Sequence, residues 1–351
     1  MTAGYFRANK IFYMSNTKHI LLFLGIYASL MSCSSCHKGS SSTPVGNWVY
    51  TGEMTGVARS EAVTFVINDA GYIATGYDGT NRLNDLWQYD AANNNWTQKD
   101  TFPGTPRSSA VAFSAAGQGY IATGFDGVNM LRDVWAYDPA TDSWSQKNDF
   151  AGTARYDAVA FGISDKGYLS TGYDGNYLKD TWEYDPTSDT WTSIPTFGGS
   201  KRLAAVAFVY NNKGYIVTGV NNGSTVNDFW SFDPAAGKWT QLRAITNVST
   251  DSYDDNYTDI VRSNAVAFII ADKAYISTGQ SASGALVSTT WEYDFSKDQW
   301  TSKTAFEKAA RTGACGLTVS QGGYILTGRS STLPFDDINQ FFPTQAYNAN
   351  D

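Results

Sequence analysis

The sequence predicts an all-β chain closed into a ring of six four-stranded antiparallel sheets, and three observations predict it. One segment returns six times, beginning at Arg59, Arg107, Arg155, Arg202, Arg262 and Arg311, with spacings of 48, 48, 47, 60 and 49 residues. Within each copy the apolar residues follow the two-residue period of strands. The 351 residues include 22 Tyr, 11 Trp and 32 Gly, a composition that suits many short strands joined by tight turns. No helical period is sustained outside the N-terminal segment.

The copy from Arg107 to Trp144 shows the elements most plainly. RSSAVAFS and GYIATG are rich in β-branched and aromatic residues and are bounded by glycine, so they read as the first two strands. DVWAYD alternates apolar and polar residues as a half-buried third strand does. The polar turn PATDS leads to Trp144 and a fourth strand. A tyrosine and a Thr-Gly pair close the second strand in every copy, from Tyr72 with Thr75-Gly76 to Tyr324 with Thr327-Gly328. The third-strand pattern Asp-x-Trp-x-Tyr/Phe-Asp stands at Asp85, Asp133, Asp180 and Asp228; it becomes TTWEYD at Thr289 and DINQFF at Asp337.

The closing tryptophans are Trp96, Trp144, Trp191, Trp239 and Trp300. A sixth, Trp48, lies 11 residues before Arg59, as Trp96 lies 11 before Arg107. Trp48 therefore belongs to a fourth strand, Asn47 to Glu53, that completes the sheet begun by Arg311 to about Pro343. A blade shared by the two ends closes the ring without leaving an open sheet edge.

These motifs resemble the kelch-repeat family, the six- and seven-bladed β-propellers that include the central domain of galactose oxidase. The resemblance covers roughly residues 44–345 and implies a six-bladed kelch-type β-propeller, followed by a short tail over 346–351. The innermost strands of such a ring converge on one axis, which explains the small residue at Ala62, Ala110, Ala158, Ala205, Ala265 and Ala314. The gaps between blades widen outward, where tryptophans such as Trp87 and Trp96 are the expected fillers. The Thr-Gly pairs mark sharp exits or close blade-to-blade approach.

The first 32 residues read as an address. Lys18 and His19 precede the 13-residue apolar run Ile20 to Ser32, which is short for a membrane span but suits a secretory signal peptide. Leu30-Met31-Ser32-Cys33 resembles a bacterial lipobox, with Cys33 as the lipidated first residue of the mature chain. Met14 offers an alternative start that gives a more usual basic region. Residues 33–43 are then a flexible tether, and the expected location is the bacterial cell envelope, lipid-anchored in the outer membrane. Either face of that membrane remains open, and the absence of an acidic run after Cys33 weighs against surface export.

Lysine and arginine total 25 against 33 acids, a net charge of −8, which makes nucleic acid a poor partner. The expectation is a monomer that meets the membrane only through its lipid.

A scaffold residue should recur in every repeat, whereas a site should break the sameness. The six arginines recur, and the third-strand aspartates are their expected partners. Blade five keeps Arg262 but carries Thr289 where the aspartate should be, so Arg262 is expected to be free or differently paired and is a candidate ligand-binding residue. Just before it lies the one large insertion, NVSTDSYDDNYTDIV, with Asp251, Asp254, Asp255 and Asp259. Clustered carboxylates suit Ca2+, although the spacing matches no EF-hand loop; the alternative is an acidic loop that pairs with Arg262. The loops after the second strand differ as well. Blades one to three carry Tyr77-Asp78-Gly79, Phe125-Asp126-Gly127 and Tyr173-Asp174-Gly175, a candidate rim for stacking on a sugar or peptide, though aromatic-Asp-Gly is also ordinary turn chemistry. Two residues after the arginines stand Glu61, Ser109, Asp157, Ala204, Asn264 and Gly313, and the carboxylates of Glu61 and Asp157 are candidates for the mouth of a central channel.

The enzyme question turns on scarcity. The only histidines are His19 and His37, and the only cysteine within the repeats is Cys315, so the copper site of galactose oxidase and any Ser-His-Asp or Cys-His site lack their ligands and base. The family also includes periplasmic sialic acid epimerases or mutarotases, which need only general acid–base help near a sugar ring. The reading is thus a non-enzymatic binding protein for a glycan or protein, without an assigned cofactor, and the alternative is a sugar epimerase.

Overall fold

In the computed structural model, which describes residues 45–350, six four-stranded antiparallel sheets form a propeller ring. The signal peptide over 1–32, the lipidation site Cys33 and the tether over 33–43 lie outside the described residues. No helix occurs among the described residues. Blade two is representative, with strands Val111–Ala115, Gln118–Ala122, Val134–Asp138 and Ser143–Lys147, each paired with the next. Blade six is split as expected: Cys315–Val319, Gly322–Leu326 and Asp337–Phe342 are completed by Asn47–Glu53, with Trp48 opposite Phe341.

Burial follows radius. In the innermost strand of each blade, alternate residues are half-buried where they line the axis and buried where they enter the blade interface, as in Val111–Ala115. The second strands are buried on both sides. Large side chains also enter from the inner strand, which the sequence had not indicated: Phe65 stacks on Tyr72 of its own blade at 5.1 Å and lies against Gly119 of the next blade. A Cβ on Gly119 would come within 2.2 Å of the Phe65 ring, so glycine is required there by the close approach. Each fourth-strand tryptophan packs on the third-strand aromatic beside it, as Trp144 does on Tyr137 at 5.1 Å.

The recurring arginines are buried to within 1 % of complete, and each performs three tasks. Arg107 makes a two-pronged ion pair with Asp133, both bonds at 2.7 Å, locking the entry of the first strand to the third. Its Nη1 donates to the Thr123 carbonyl at 2.9 Å, and its own carbonyl accepts from Gly76 N of the preceding blade at 2.8 Å. Arg59, Arg155 and Arg311 pair likewise with Asp85, Asp180 and Asp337, and Arg202 meets Asp228 through a single close contact between its Nη2 and Oδ1. Gly328 N donates to the Arg59 carbonyl at 2.8 Å, so the same link closes the ring between blades six and one. The Thr-Gly pairs are therefore both sharp exits and inter-blade contacts. The threonines adopt a left-handed backbone, φ 60 at Thr123, which costs a β-branched residue about 1–3 kcal/mol. The arginine that holds the threonine carbonyl and the bond from the adjacent glycine keep it there.

Replacing Arg107 with Ala leaves Asp133 half-buried and unpaired and frees the Thr123 carbonyl. We expect a loss of about 3–5 kcal/mol in denaturant unfolding, the cost of breaking a buried pair from one side; an unchanged midpoint would refute the scaffold role.

Candidate functional site

On one face of the ring, the residue after each arginine bridges to the loop that follows the second strand: Ser60 to Tyr77, Ser108 to Phe125, Tyr156 to Tyr173, Leu203 to Val220, Ser263 to Gln280 and Thr312 to Arg329. The next residue in each blade forms the innermost collar. Glu61, Ser109, Asp157, Ala204, Asn264 and Gly313 all have φ between 50 and 61, and each N–H donates to the carbonyl of the collar residue in the preceding blade, at 2.7–3.3 Å. Six such bonds close a complete backbone ring around the axis. Below them the six alanines, from Ala62 to Ala314, line the same small cavity of about 120 Å3.

The collar's backbone is sixfold, but its side chains are not. Glu61 and Asp157 do stand at the channel mouth, as the sequence indicated. The Ser109 hydroxyl lies between them and donates to Glu61 Oε2 at 3.5 Å. Arg329 Nη2 reaches Glu61 Oε1 at 3.4 Å from the neighbouring blade. Among the described residues no ion-pair partner meets Asp157, the collar's one ion pair being that of Glu61. Desolvation of this half-buried carboxyl pushes it up to about 6, the Ser109 hydroxyl opposes that rise, and the Glu61 charge adds to it.

Beside the mouth, the aromatic side chains of blades one to three form a continuous row. Arg82 lies over Tyr77 at 5.4 Å and over Phe125 at 4.9 Å. Phe125 meets Tyr156 at 5.6 Å, Tyr156 meets Tyr173 at 5.7 Å, and Tyr173 meets Tyr177 at 5.2 Å. All six side chains are half-buried. Sequence reading found Tyr77, Phe125 and Tyr173 through their repeat position but missed Arg82, Tyr156 and Tyr177, whose residue types do not recur at the equivalent positions, where Met130 and Leu286 match Arg82 and Tyr177, and Ser60 and Ser108 match Tyr156. The remaining blades offer Val220, Gln280 and Arg329 at the equivalent loop position.

Of the two readings of these loop aspartates, the hydrogen bonds match the turn reading. Asp78 Oδ1 accepts from the N–H groups of Thr80 and Asn81, Asp126 Oδ1 from those of Val128 and Asn129, and Asp174 Oδ1 from Asn176. They cap their own turns, and the backbone N–H groups of Asn81 and Asn129 hold the Asp78 and Asp126 carboxyls below the usual carboxylate range. The ordinary turn reading of the aromatic-Asp-Gly segments is thus the one their geometry satisfies.

The acidic insertion also resolves differently from a cation site. Asp259 reaches back to blade five and occupies the place of the missing third-strand aspartate. Its Oδ1 accepts from Trp291 Nε1 at 2.8 Å, as Asp133 Oδ2 accepts from Trp135, and its Oδ2 accepts from the Thr289 hydroxyl at 2.8 Å. Arg262 is fully buried, contacts Asp259 at 3.4 Å and donates to the Thr289 hydroxyl at 2.7 Å. It is differently paired, as one alternative held, and it is not available on the rim as a ligand-binding residue. Asp254 is buried and accepts from Val248 N, Ser249 N and the Ser249 hydroxyl. Burial alone would raise its carboxyl, and those donors outweigh it and hold it low. Asp251, Asp254, Asp255 and Asp259 are not gathered around one point, and no group of three or more potential metal ligands occurs among the described residues. Tyr257 and Ile260 of the insertion are buried against blade five, and the Tyr257 hydroxyl accepts from Trp300 N at 2.6 Å. In four of the other connections a phenylalanine does this filling, stacked over the next arginine as Phe102 is over Arg107 at 4.9 Å.

Comparison with known proteins places this architecture. A family model described as the KLHDC2/KLHL20/DRC7 Kelch-repeats domain matches residues 58–202, and one described as the Kelch motif matches residues 201–244. No curated protein matches the sequence. Among solved structures, one titled "Structure of YjhT" has a TM-score of 0.67 at 17% identity, covering 82% of this chain and 95% of that one. At that identity the likeness is one of fold.

Two outcomes are expected. Asp259→Ala leaves Arg262 buried without its carboxylate and should destabilise about as much as Asp133→Ala, by about 3–5 kcal/mol in chemical denaturation; a mere surface-loop effect of a few tenths would refute the substitution. Asp157 carries the opposite sign. Its carboxyl titrates higher in the folded chain than at the ordinary value near 4, so folded protein holds the extra proton between those values and stability falls as pH rises through that window. Asp157→Asn should therefore raise the melting temperature at pH 8 and leave it nearly unchanged at pH 4, measured by differential scanning calorimetry.

Proposed function

The chain is a kelch-repeat β-propeller, and from that premise we propose that it is a non-enzymatic binding protein of the bacterial cell envelope, tethered through a lipid on Cys33, which takes a glycan or protein partner on one propeller face. The observation that carries this reading is the unbroken half-exposed row Tyr77, Arg82, Phe125, Tyr156, Tyr173 and Tyr177 beside the channel mouth. Such a row presents large, rigid, amphipathic surface that loses little freedom when a partner covers it, and its hydroxyls and guanidinium supply polar contacts at the edge. It lies only on blades one to three, so it adds nothing that the sixfold scaffold requires. The mouth itself is a slot of about 120 Å3, under the roughly 300 Å3 at which pockets begin to enclose a small molecule.

A sugar epimerase is the second reading, favoured by one observation. Asp157, with its raised carboxyl, stands near Glu61 and the Glu61–Arg329 pair, and a carboxyl titrating near neutrality is suited to general acid–base work. The mouth's volume of about 120 Å3 counts against its enclosing a pyranose ring.

A glycan array probed with the purified protein, with and without Ca2+, separates the partners. We expect Tyr156→Ala and Tyr173→Ala each to weaken the captured ligand roughly tenfold, as loss of an aromatic anchor does, with little change in melting temperature. Retained affinity in both variants would remove the row from the binding site, and no glycan binding at all assigns the face to a protein partner.

A further inference from the structure

We infer that the aromatic row takes an anionic polysaccharide, whose oxyanion groups (carboxylate or sulfate ester) are met by Arg82 at one end of the row and by a lysine-lined cavity at the other. This rests on the binding reading above and names the ligand class that the row selects.

Arg82 carries the inference. Among the described residues it is the one arginine whose guanidinium makes neither a hydrogen bond nor an ion pair; its neighbours are the rings of Tyr77 and Phe125, at 5.4 and 4.9 Å. Asp126, on the facing loop, uses its carboxylate in its own turn. Of the three guanidinium nitrogens only Nε is buried, and it has no partner, so both Nη groups open to solvent. The blade-two turn makes room for the group: a Cβ on Gly127 would come within 2.4 Å of Nη1. A planar fork of N–H donors, held between two rings, is the side chain that takes two oxygens of a carboxylate or sulfate at once. The scaffold does not ask for a cation here. In blades two, three, five and six the same bridge is made by Met130, Tyr177, Leu286 and Pro334.

At the other end of the row, Tyr177 lines a cavity of about 710 Å3 together with Arg132, Lys179 and Lys201. The connection into blade four ties the two lysines together. The Thr196 hydroxyl donates to the Lys179 carbonyl, and Lys179 Nζ donates at 3.3 Å to the carbonyl of Gly199, two residues before Lys201. Among the described residues no carboxylate lies within ion-pair reach of either lysine. The two acids of the cavity wall are engaged, Asp180 by Arg155 and Asp174 by its own turn. Arg132 has only an exposed pair with Asp149 at 3.3 Å, of little net strength in water. Lys201 also breaks the repeat: the residue before each of the other arginines is Ala58, Pro106, Ala154, Val261 or Ala310. In a chain of net charge −8, three unmatched cations at the ends of one aromatic row set up a local field that draws an anion.

The shape of the site favours a saccharide strand over an acidic protein. The cavity falls within the roughly 300–1,000 Å3 of pockets that enclose small ligands. None of the row's aromatic residues is among the exposed large apolar side chains from which a protein interface builds its core. Half-buried rings with hydroxyl edges suit amphipathic sugar rings laid along them.

The test is isothermal titration calorimetry of the purified protein with tetragalacturonate, its full methyl ester, the galacturonate monomer, a sulfated carrageenan tetrasaccharide and a hexaglutamate peptide. We expect one or both of the anionic tetrasaccharides to bind roughly tenfold more tightly than the methyl ester and the monomer, the stronger arm telling carboxylate from sulfate. That advantage should shrink to a few-fold in Arg82→Gln and in Lys201→Gln, with melting temperatures unchanged. Equal affinities for charged and neutral tetrasaccharides overturn the proposal, as does an advantage that survives either substitution. A monomer that binds as tightly as the tetrasaccharides, or no binding at millimolar ligand, also overturns it. Binding of hexaglutamate alone assigns the face to an acidic protein instead, and a melting temperature that falls along with affinity marks a structural residue. The underlying reading is tested separately: if a neutral ligand from the array is weakened by Tyr156→Ala and indifferent to Arg82→Gln, the aromatic rim stands and the selection for anions falls.

Discussion

Everything in this ring hangs on one buried guanidinium, repeated. Each arginine joins the first strand of its blade to the third through a carboxylate, holds the carbonyl of a strained threonine, and offers its own carbonyl to the preceding blade. The sheets of neighbouring blades are separate and meet by backbone pairing only in isolated bridges such as Leu83 with Arg107, so cohesion between blades comes largely from packed side chains and a few bonds near the axis. The arginine supplies those bonds and makes intra-blade and inter-blade order depend on the same atom group. A buried ion pair gains little net stability over an apolar substitute, but removing one partner is costly, and this asymmetry explains why blade five recruits a carboxylate from 30 residues away when its own third strand lacks one. Asp259 is the clearest sign that the requirement is chemical. The insertion must fold in order to deliver it, and Tyr257, Ile260 and the capping of Asp254 are the means.

How much of this was readable in the sequence depends on whether a feature recurs. The blade count, the four strands, the split sixth blade and the arginine–aspartate pairs repeat at nearly fixed spacing, and each follows from comparing one copy with the next. The closed backbone collar repeats as strictly in space yet has no sequence signature, since its residues are Glu61, Ser109, Asp157, Ala204, Asn264 and Gly313. What they share is a left-handed backbone, and that is set by the turn from the arginine into the first strand and not by side-chain type. Asp259 lay outside the period altogether, so its counter-ion role was visible only as one of two alternatives. Arg82, Tyr156 and Tyr177 occur once each, and nothing in a single copy distinguishes a rim aromatic from a packing one until the row they form is seen.

The same contrast explains why the loop aspartates misled. Asp78, Asp126 and Asp174 differ from the equivalent residues of blades four to six, and by that criterion they resembled a site. Their difference is compensated locally, because each carboxylate is used by the turn that carries it. Asymmetry between repeats is therefore informative only where the departing group has no partner of its own.

By that stricter criterion Asp157 is the outstanding residue of the molecule. Its carboxylate is half-buried, shares the mouth with that of Glu61, and has a hydroxyl nearby where each recurring arginine has a carboxylate. Ala204 and Gly313 occupy equivalent collar positions with no side-chain charge at all, so the collar does not need an acid at this point. Charge held against its own stability, in a scaffold that elsewhere imports an aspartate to satisfy an arginine, is the opposite of what packing would select. The ring tolerates it because six backbone bonds fix the collar whatever its side chains are, and that independence lets the mouth's side chains vary without cost to the fold.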